Sequence, residues 1–304
     1  MAISELATGL KFPEGPVAMD DGSIILVEIA GGCITRVKKD GRKQSIAKPG
    51  GGPNGLAIGP DGALYVCNNG ENFTYIKQQG LTIPSHAPAH HKGGRIERVN
   101  ISTGKVEVLY DSWEGRRLIA PNDLVFDTQG GFWFTDHGST THEYRTHGAL
   151  YYAKADGSQI TQVLRELISP NGVGLSPDGK TVYYAETFTA RLWSLPLTKP
   201  GKGAKVPGFT PGVFVGAYPG IAYFDSLGVQ ADGGVCVATI LAGGITTFGP
   251  GAGKVKHTAI ADPLVTNICW GGRNMKTAYI TASGTGKLLA MNWPKPGLRL
   301  NYNA

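Results

Sequence analysis

One seven-residue interval recurs six times along this chain, and few folds can accommodate it. A residue with a side-chain oxygen opens a short apolar run, a turn follows seven positions on, and a second apolar run begins. The openings are Glu14-Gly-Pro-Val, Asn54-Gly-Leu-Ala, Asn122-Asp-Leu-Val, Asn171-Gly-Val-Gly, Asp225-Ser-Leu-Gly and Asn267-Ile-Cys-Trp. The turns are Asp21-Gly22, Asp61-Gly62, Gln129-Gly130, Asp178-Gly179, Asp232-Gly233 and a degenerate copy at Asn274. The strands that follow, such as IILV, FWFT and VYYA, are rich in β-branched and aromatic residues.

A third and fourth strand can be traced in most units. RIERVN is followed by Ser102-Thr103-Gly104 and KVEVLY, and ALYYAKA by Asp156-Gly157 and QITQVLREL. Four antiparallel strands per unit, repeated six times, predict an all-β six-bladed β-propeller, one domain over residues 1–304. The sixth unit ends after GKLLAMNW without an outer strand, which the N-terminal ISELATGL can supply. That pairing closes the ring and leaves no open edge. A β-sandwich does not account for a constant interval.

Composition agrees. Gly 45 and Pro 19 suit many tight turns, and 17% charged residues suit buried sheets better than amphipathic helices. Cys33, Cys67, Cys236 and Cys269 lie far apart without metal-ligand spacing and read as reduced thiols. No secretory leader and no membrane span is visible, so a cytoplasmic location is expected, without a membrane partner. The net charge of +6 raises a nucleic-acid partner. Its clusters, Lys38–Lys43 and Lys199–Lys205, fall in outer hairpins that face away from the functional end, so none is expected. The oligomeric state is open.

The first strand of each propeller blade lines the central channel, so residues of equal register form a ring about the axis. Here that ring is Glu14, Asn54, Asn122, Asn171, Asp225 and Asn267, and all six carry a side-chain oxygen. Crowding so many oxygens in a narrow channel is unfavourable without a cation. Two carboxylates with neutral amides suit one hard divalent ion: Ca²⁺ first, then Mg²⁺ or Mn²⁺, with Zn²⁺ and Fe²⁺ less preferred. Second strands return to this end. They place Glu28, Asn68-Asn69-Gly70-Glu71, Asp136-His137 and Glu186-Thr187 beside the ring, and insertions 70–93 and 137–147 as a lid or wall. Glu71 is a candidate substrate contact, His137 a candidate acid or base, and Asp136 a loop anchor. His86, His90 and His91 are not expected to form a second metal site, since adjacent side chains diverge.

FPEGPV, GGPNGLAIGPDGALYV, APNDLVFDTQGGFWFTD, SPNGVGLSPDGKTVYYAET and Asp225-Ser226-Leu227-Gly228 span almost the whole chain in order. As a set they resemble the regucalcin/gluconolactonase (senescence marker protein) hydrolases, with diisopropyl-fluorophosphatase as a cousin. The resemblance implies a metal held by Glu14, Asn171 and Asp225, with Asn122 as a fourth ligand or substrate contact. It also implies Asp225 as general base, or as nucleophile in the phosphatase cousins, and hydrolysis of a small-molecule lactone. In that reaction Asn54, Asn122 and Asn267 would donate amide hydrogens to substrate oxygens. Alternatives are a phosphotriesterase or fluorophosphatase and a non-enzymatic metal-binding propeller. The chain departs from sugar lactonases at Ile119, where an amide is usual, at His137, where proline is usual, and at Asn68–Phe73, where an arginine often stands. Fewer sugar-reading groups remain, so a less hydroxylated lactone is expected.

Overall fold

The computed structural model describes residues 2–208, 210–251 and 253–303. It is a ring of six antiparallel sheets, as the repeat predicts: five are four-stranded, and the fourth blade has a fifth, two-residue strand at Lys202–Gly203. The inner strands are Pro13–Ala18, Pro53–Ile58, Pro121–Phe126, Pro170–Leu175, Tyr223–Val229 and Val265–Gly271. They define blades 1 to 6 in chain order. Among the described residues the only helical element is one 3₁₀ turn, Ile29–Gly31, and no helix is long and apolar enough to cross a membrane. Ring closure follows the sequence reading: Ile3–Ala7 pairs antiparallel with Lys287–Asn292 as the outer strand of blade 6. The N-terminal strand thereby completes blade 6 and covers the outer edge of Lys287–Asn292.

The core lies between blades. Six apolar clusters among the described residues each join two neighbouring sheets; Val17, Ile25 and Val27 of blade 1 meet Leu56, Ile58 and Val66 of blade 2, for example. The last cluster packs Ala7 and Leu288 against Ile24 and Leu26 and so seals the ring. All four cysteines are free. At the far end of the axis the Lys39 side chain reaches the turn at Gly22, so this basic hairpin faces away from the ring, as expected. The C-terminal segment crosses that end, held by Leu298 N–H to Val229 O (2.9 Å) and Asn301 Nδ2 to Phe126 O (3.0 Å).

Every inner strand carries a register shift at one level. In blades 2 to 5 two residues oppose one on the second strand: Asn54-Gly55, Asn122-Asp123, Asn171-Gly172 and Asp225-Ser226. In blade 1 the pair is Gly15-Pro16, just after Glu14, and in blade 6 the extra residue is Thr266, just before Asn267. Such a β-bulge breaks strict alternation and re-aims a side chain. Here six bulges turn one register toward the axis. They also let neighbouring inner strands touch backbone to backbone. A Cβ on Gly55 would lie 2.5 Å from Asp123 Cα, and one on Gly172 would lie 2.4 Å from Leu227 N.

These contacts generate a test. Gly172→Ala should cost about 2–4 kcal/mol of unfolding free energy, because rigid backbone, not a flexible side chain, must yield. Gly179→Ala, in open space but at φ +67°, should cost only about 1 kcal/mol. Urea titrations of the two variants decide it, and equal losses would contradict the close packing at the axis.

Candidate active site on the propeller axis

The ring residues arrive together. Glu14, Asn54, Asn122, Asn171 and Asn267 are buried, and Asp225 is partly exposed. Asn267 Nδ2 donates to Glu14 Oε2 at 2.6 Å across the junction of blades 6 and 1, while its own Oδ1 accepts Ile268 N–H (2.7 Å). Glu14 Oε2 also accepts the Gly15 N–H. Asn171 donates from Nδ2 to Thr187 Oγ1 (3.2 Å) and bonds Asp225, and its Oδ1 faces the Ser226 hydroxyl (3.5 Å). Two oxygens are left over. Glu14 Oε1 and Asn122 Oδ1 are both buried and have no hydrogen-bond partner.

Charge at this point is unbalanced. Burial first, then the neighbouring charge of Asp225, pushes the Glu14 carboxyl well above the usual carboxylate range. Burial also raises Asp225 to about 7, opposed by its bond from Asn171. Asp123, at the bulge beside Asn122, is likewise pushed up to about 7 by burial, although it accepts N–H bonds from Leu124 (2.9 Å) and Val173 (3.4 Å). Among the described residues no three His, Cys, Asp or Glu side chains converge as a metal-binding group. The axial set consists instead of carboxylates and amides. Orphaned oxygens and two carboxylates in each other's field fit a hard divalent cation, with Glu14, Asn122, Asn171 and Asp225 as its holders.

The loops around the ring are pinned by a repeated device. The residue ending the second strand accepts N–H groups from the loop before the inner strand. Glu28 takes Lys11 N–H (2.8 Å), Asn68 takes Gly52 N–H (3.0 Å) and Glu186 takes Ile168 N–H (2.8 Å). Asp136 takes Ile119 (2.7 Å), Ala120 (2.8 Å) and Gly138 (3.0 Å), the anchoring expected for it. In blades 1 to 4 the start of the inner strand is thereby held at fixed height.

Both insertions rise at this end and bind one another. Asn72 Nδ2 donates to Gly138 O (3.1 Å) and Ala87 N–H to Thr140 O (2.9 Å). The hairpin Tyr75–Gln78/Leu81–Pro84 reaches blade 6 through Thr82 N–H to Gly284 O (2.8 Å). It carries Tyr75 onto Phe12, with ring centroids 5.3 Å apart. The Tyr75 hydroxyl is buried and unpartnered, and burial followed by the charges of Asp225 and Glu14 raises its pKa, so it stays protonated. Phe188 completes the wall, 5.4 Å from Tyr223 and 6.0 Å from His137, and Phe73 lies 5.7 Å from His137.

His137 is buried in this aromatic wall and pulled down to about 4, mainly by burial. It is neutral above that pH. Glu71 stands apart from the buried set: at φ +67° it is exposed and faces His90 at 3.4 Å. His91 bonds Asn69 O (3.0 Å), so the two neighbours do diverge. Tyr75, Phe188 and Asp123 were not singled out from the sequence. Only Asp123 carried a signal, as the one acidic residue directly after a ring position.

The SMP-30/Gluconolactonase/LRE-like region matches residues 12–284. The chain belongs to that family. Among curated relatives, the lactonase drp35 of Staphylococcus haemolyticus is 30% identical over 77% of this chain and 65% of its own. The gluconolactonase of Zymomonas mobilis is 24% identical over 92% of this chain and 79% of its own. The chain thus spans just under two thirds of the Staphylococcus relative's length. Regucalcin, a calcium-binding protein of Agrobacterium tumefaciens, superimposes with TM-score 0.73 at 18% identity over 98% of both chains. That likeness establishes the shared propeller.

The electrostatics predict a pH dependence for chelator-treated protein. Asp123, Asp225 and Glu14 keep protons in the folded chain that they lose when unfolded above about pH 4. The folded chain binds more protons between about pH 4 and 7, so its stability falls as pH rises through that window. His137 works in the opposite sense, one imidazole against three carboxyls. Thermal unfolding should therefore give a higher midpoint at pH 5 than at pH 8, and added Ca²⁺ should raise the midpoint more at pH 8. An equal gain at both pH values would contradict the carboxylate cluster.

Proposed function

We propose that this chain hydrolyses a small lactone at the axial site, with one divalent cation held by Glu14, Asn122, Asn171 and Asp225. The observation that carries the reading is the pair of orphaned oxygens, Glu14 Oε1 and Asn122 Oδ1, beside the Asp225 carboxylate and the Tyr75 hydroxyl. The lactonase and gluconolactonase relatives supply the reaction class. Calcium is the first choice of cation, on donor chemistry and on the calcium-binding neighbour. When bound, the cation supplies Lewis acidity toward the ester carbonyl.

The chain's own groups do the rest. Asp225 accepts a hydrogen bond from water and directs it at the carbonyl carbon. Ligation keeps this carboxylate ionised and weakens it as a base, so orientation outweighs proton removal. Asn122 and Asn54 donate amide hydrogens to substrate oxygens. Asn267, bonded to Glu14 and to its own strand, serves chiefly to fix the Glu14 carboxylate. The Tyr75 hydroxyl, a donor with nothing else to bond, serves the developing oxyanion or the leaving ring oxygen. Water adds, the acyl C–O bond breaks, and the ring oxygen departs as an alcohol after taking up a proton. His137, pulled down to about 4, carries no extra proton to donate at physiological pH and is only a weak base, so it lines the site more than it transfers protons. Phe12, Phe73, Tyr75, Phe188 and Tyr223 around the site favour an acyl partner with few hydroxyls.

Proton-release assays over a panel of lactones, with Ca²⁺ supplied, test this reading. Asp225→Asn should lower kcat/KM by about 10³-fold, and Tyr75→Phe by about 10-fold, mostly in kcat. Full turnover by Asp225→Asn would remove the mechanism while leaving the fold intact.

A further inference from the structure

Above the aromatic wall stands a cation with no counter-charge. Arg145 lies in the second insertion, at the base of a tight hairpin. Thr140 pairs with it across the strands, and Thr146 N–H bonds Ser139 O (2.9 Å). Its guanidinium carbon sits 3.5 Å from the centroid of the Phe188 ring. Nε donates to Thr140 Oγ1 (3.2 Å), and among the described residues no carboxylate lies within 4.0 Å. Arg145 is exposed, its side chain steadied by the stacking and this one bond, and neither Nη group has a partner among the described residues.

Its place relative to the axis follows from the chain. Phe188 directly succeeds Thr187, whose hydroxyl accepts the Asn171 amide at 3.2 Å. The Phe188 ring packs on Tyr223, two residues before Asp225, and on His137. The guanidinium therefore sits on the aromatic wall that adjoins the ring of oxygens. A stacked arginine keeps a fixed fork that matches a carboxylate with two parallel N–H bonds and loses little freedom on binding.

We infer that Arg145 is an anion seat and that the substrate is a small lactone bearing a carboxylate. The ester would lie at the axis, the ring against Phe188, and the carboxylate under the guanidinium. This rests on the lactonase reading for the word lactone, but the anion seat can be tested separately. His137, on the other side of Phe188, is neutral and offers no competing positive charge.

Two measurements on the calcium-loaded full chain decide it. First, kcat/KM is compared for 5-oxotetrahydrofuran-2-carboxylate and γ-butyrolactone. Wild type should favour the carboxylate by at least about 10-fold, and Arg145→Gln should erase most of that ratio, chiefly through KM. Arg145→Lys should retain part of it, because a point charge cannot form the fork. A wild-type preference for the neutral lactone, or an unchanged ratio in Arg145→Gln, overturns the inference. Second, calorimetry compares tetrahydrofuran-2-carboxylate with the matching neutral alcohol, tetrahydrofurfuryl alcohol. Tighter binding of the carboxylate that is lost in Arg145→Gln supports the seat even if no lactone is turned over, in which case only the lactonase reading falls. Equal affinity of wild type and Arg145→Gln for the carboxylate overturns the seat whatever the turnover data show.

Discussion

Repulsion between buried oxygens at the propeller axis organises this end of the molecule. Glu14, Asp225 and Asp123 are carboxyls with little water to solvate them, and Asn122 and Glu14 each present an oxygen that nothing in the protein satisfies. Left alone, such a group shifts toward its protonated form, which is the direction all three acids take. On the proposed reading, a divalent cation would remove the conflict, turning an unfavourable cluster into a binding site and keeping the carboxylates ionised.

The propeller can hold that conflict because its stability comes from elsewhere. The six apolar clusters lie between the sheets, outside the axis, and the N-terminal strand closes the last of them. Bulges on every inner strand then turn one register inward. Glycines at positions 55 and 172 let adjacent backbones touch there. The second-strand residues Glu28, Asn68, Asp136 and Glu186 fix the height of the inner strands of blades 1 to 4 by holding the preceding loop. Precise placement of weakly compatible groups is thus produced by backbone geometry, with insertions free to vary above it.

This division explains what could be read in the residues alone. The seven-residue interval and the turn dipeptides are local, so the blades, their number and the ring register were legible, as was closure by ISELATGL. The bulges were not, because a shift against the second strand leaves no mark in a periodic pattern except an occasional glycine. Tyr75 and Arg145 were missed for another reason: each reaches the site on an insertion whose path depends on distant bonds, Thr82 to Gly284 and Ala87 to Thr140. Glu71 shows the converse. Its loop does begin beside the ring, yet a left-handed turn and His90 leave it exposed. Asp123 was visible as a residue but read as part of a strand, since only the bulge turns it inward toward Val173.

The most direct measurement is an anomalous-difference map of crystals grown with Mn²⁺ as a stand-in for Ca²⁺. The account predicts one peak on the axis, contacted by oxygens of Glu14, Asn122, Asn171 and Asp225. An axial channel containing only water, under conditions where the ion is in excess, would contradict it.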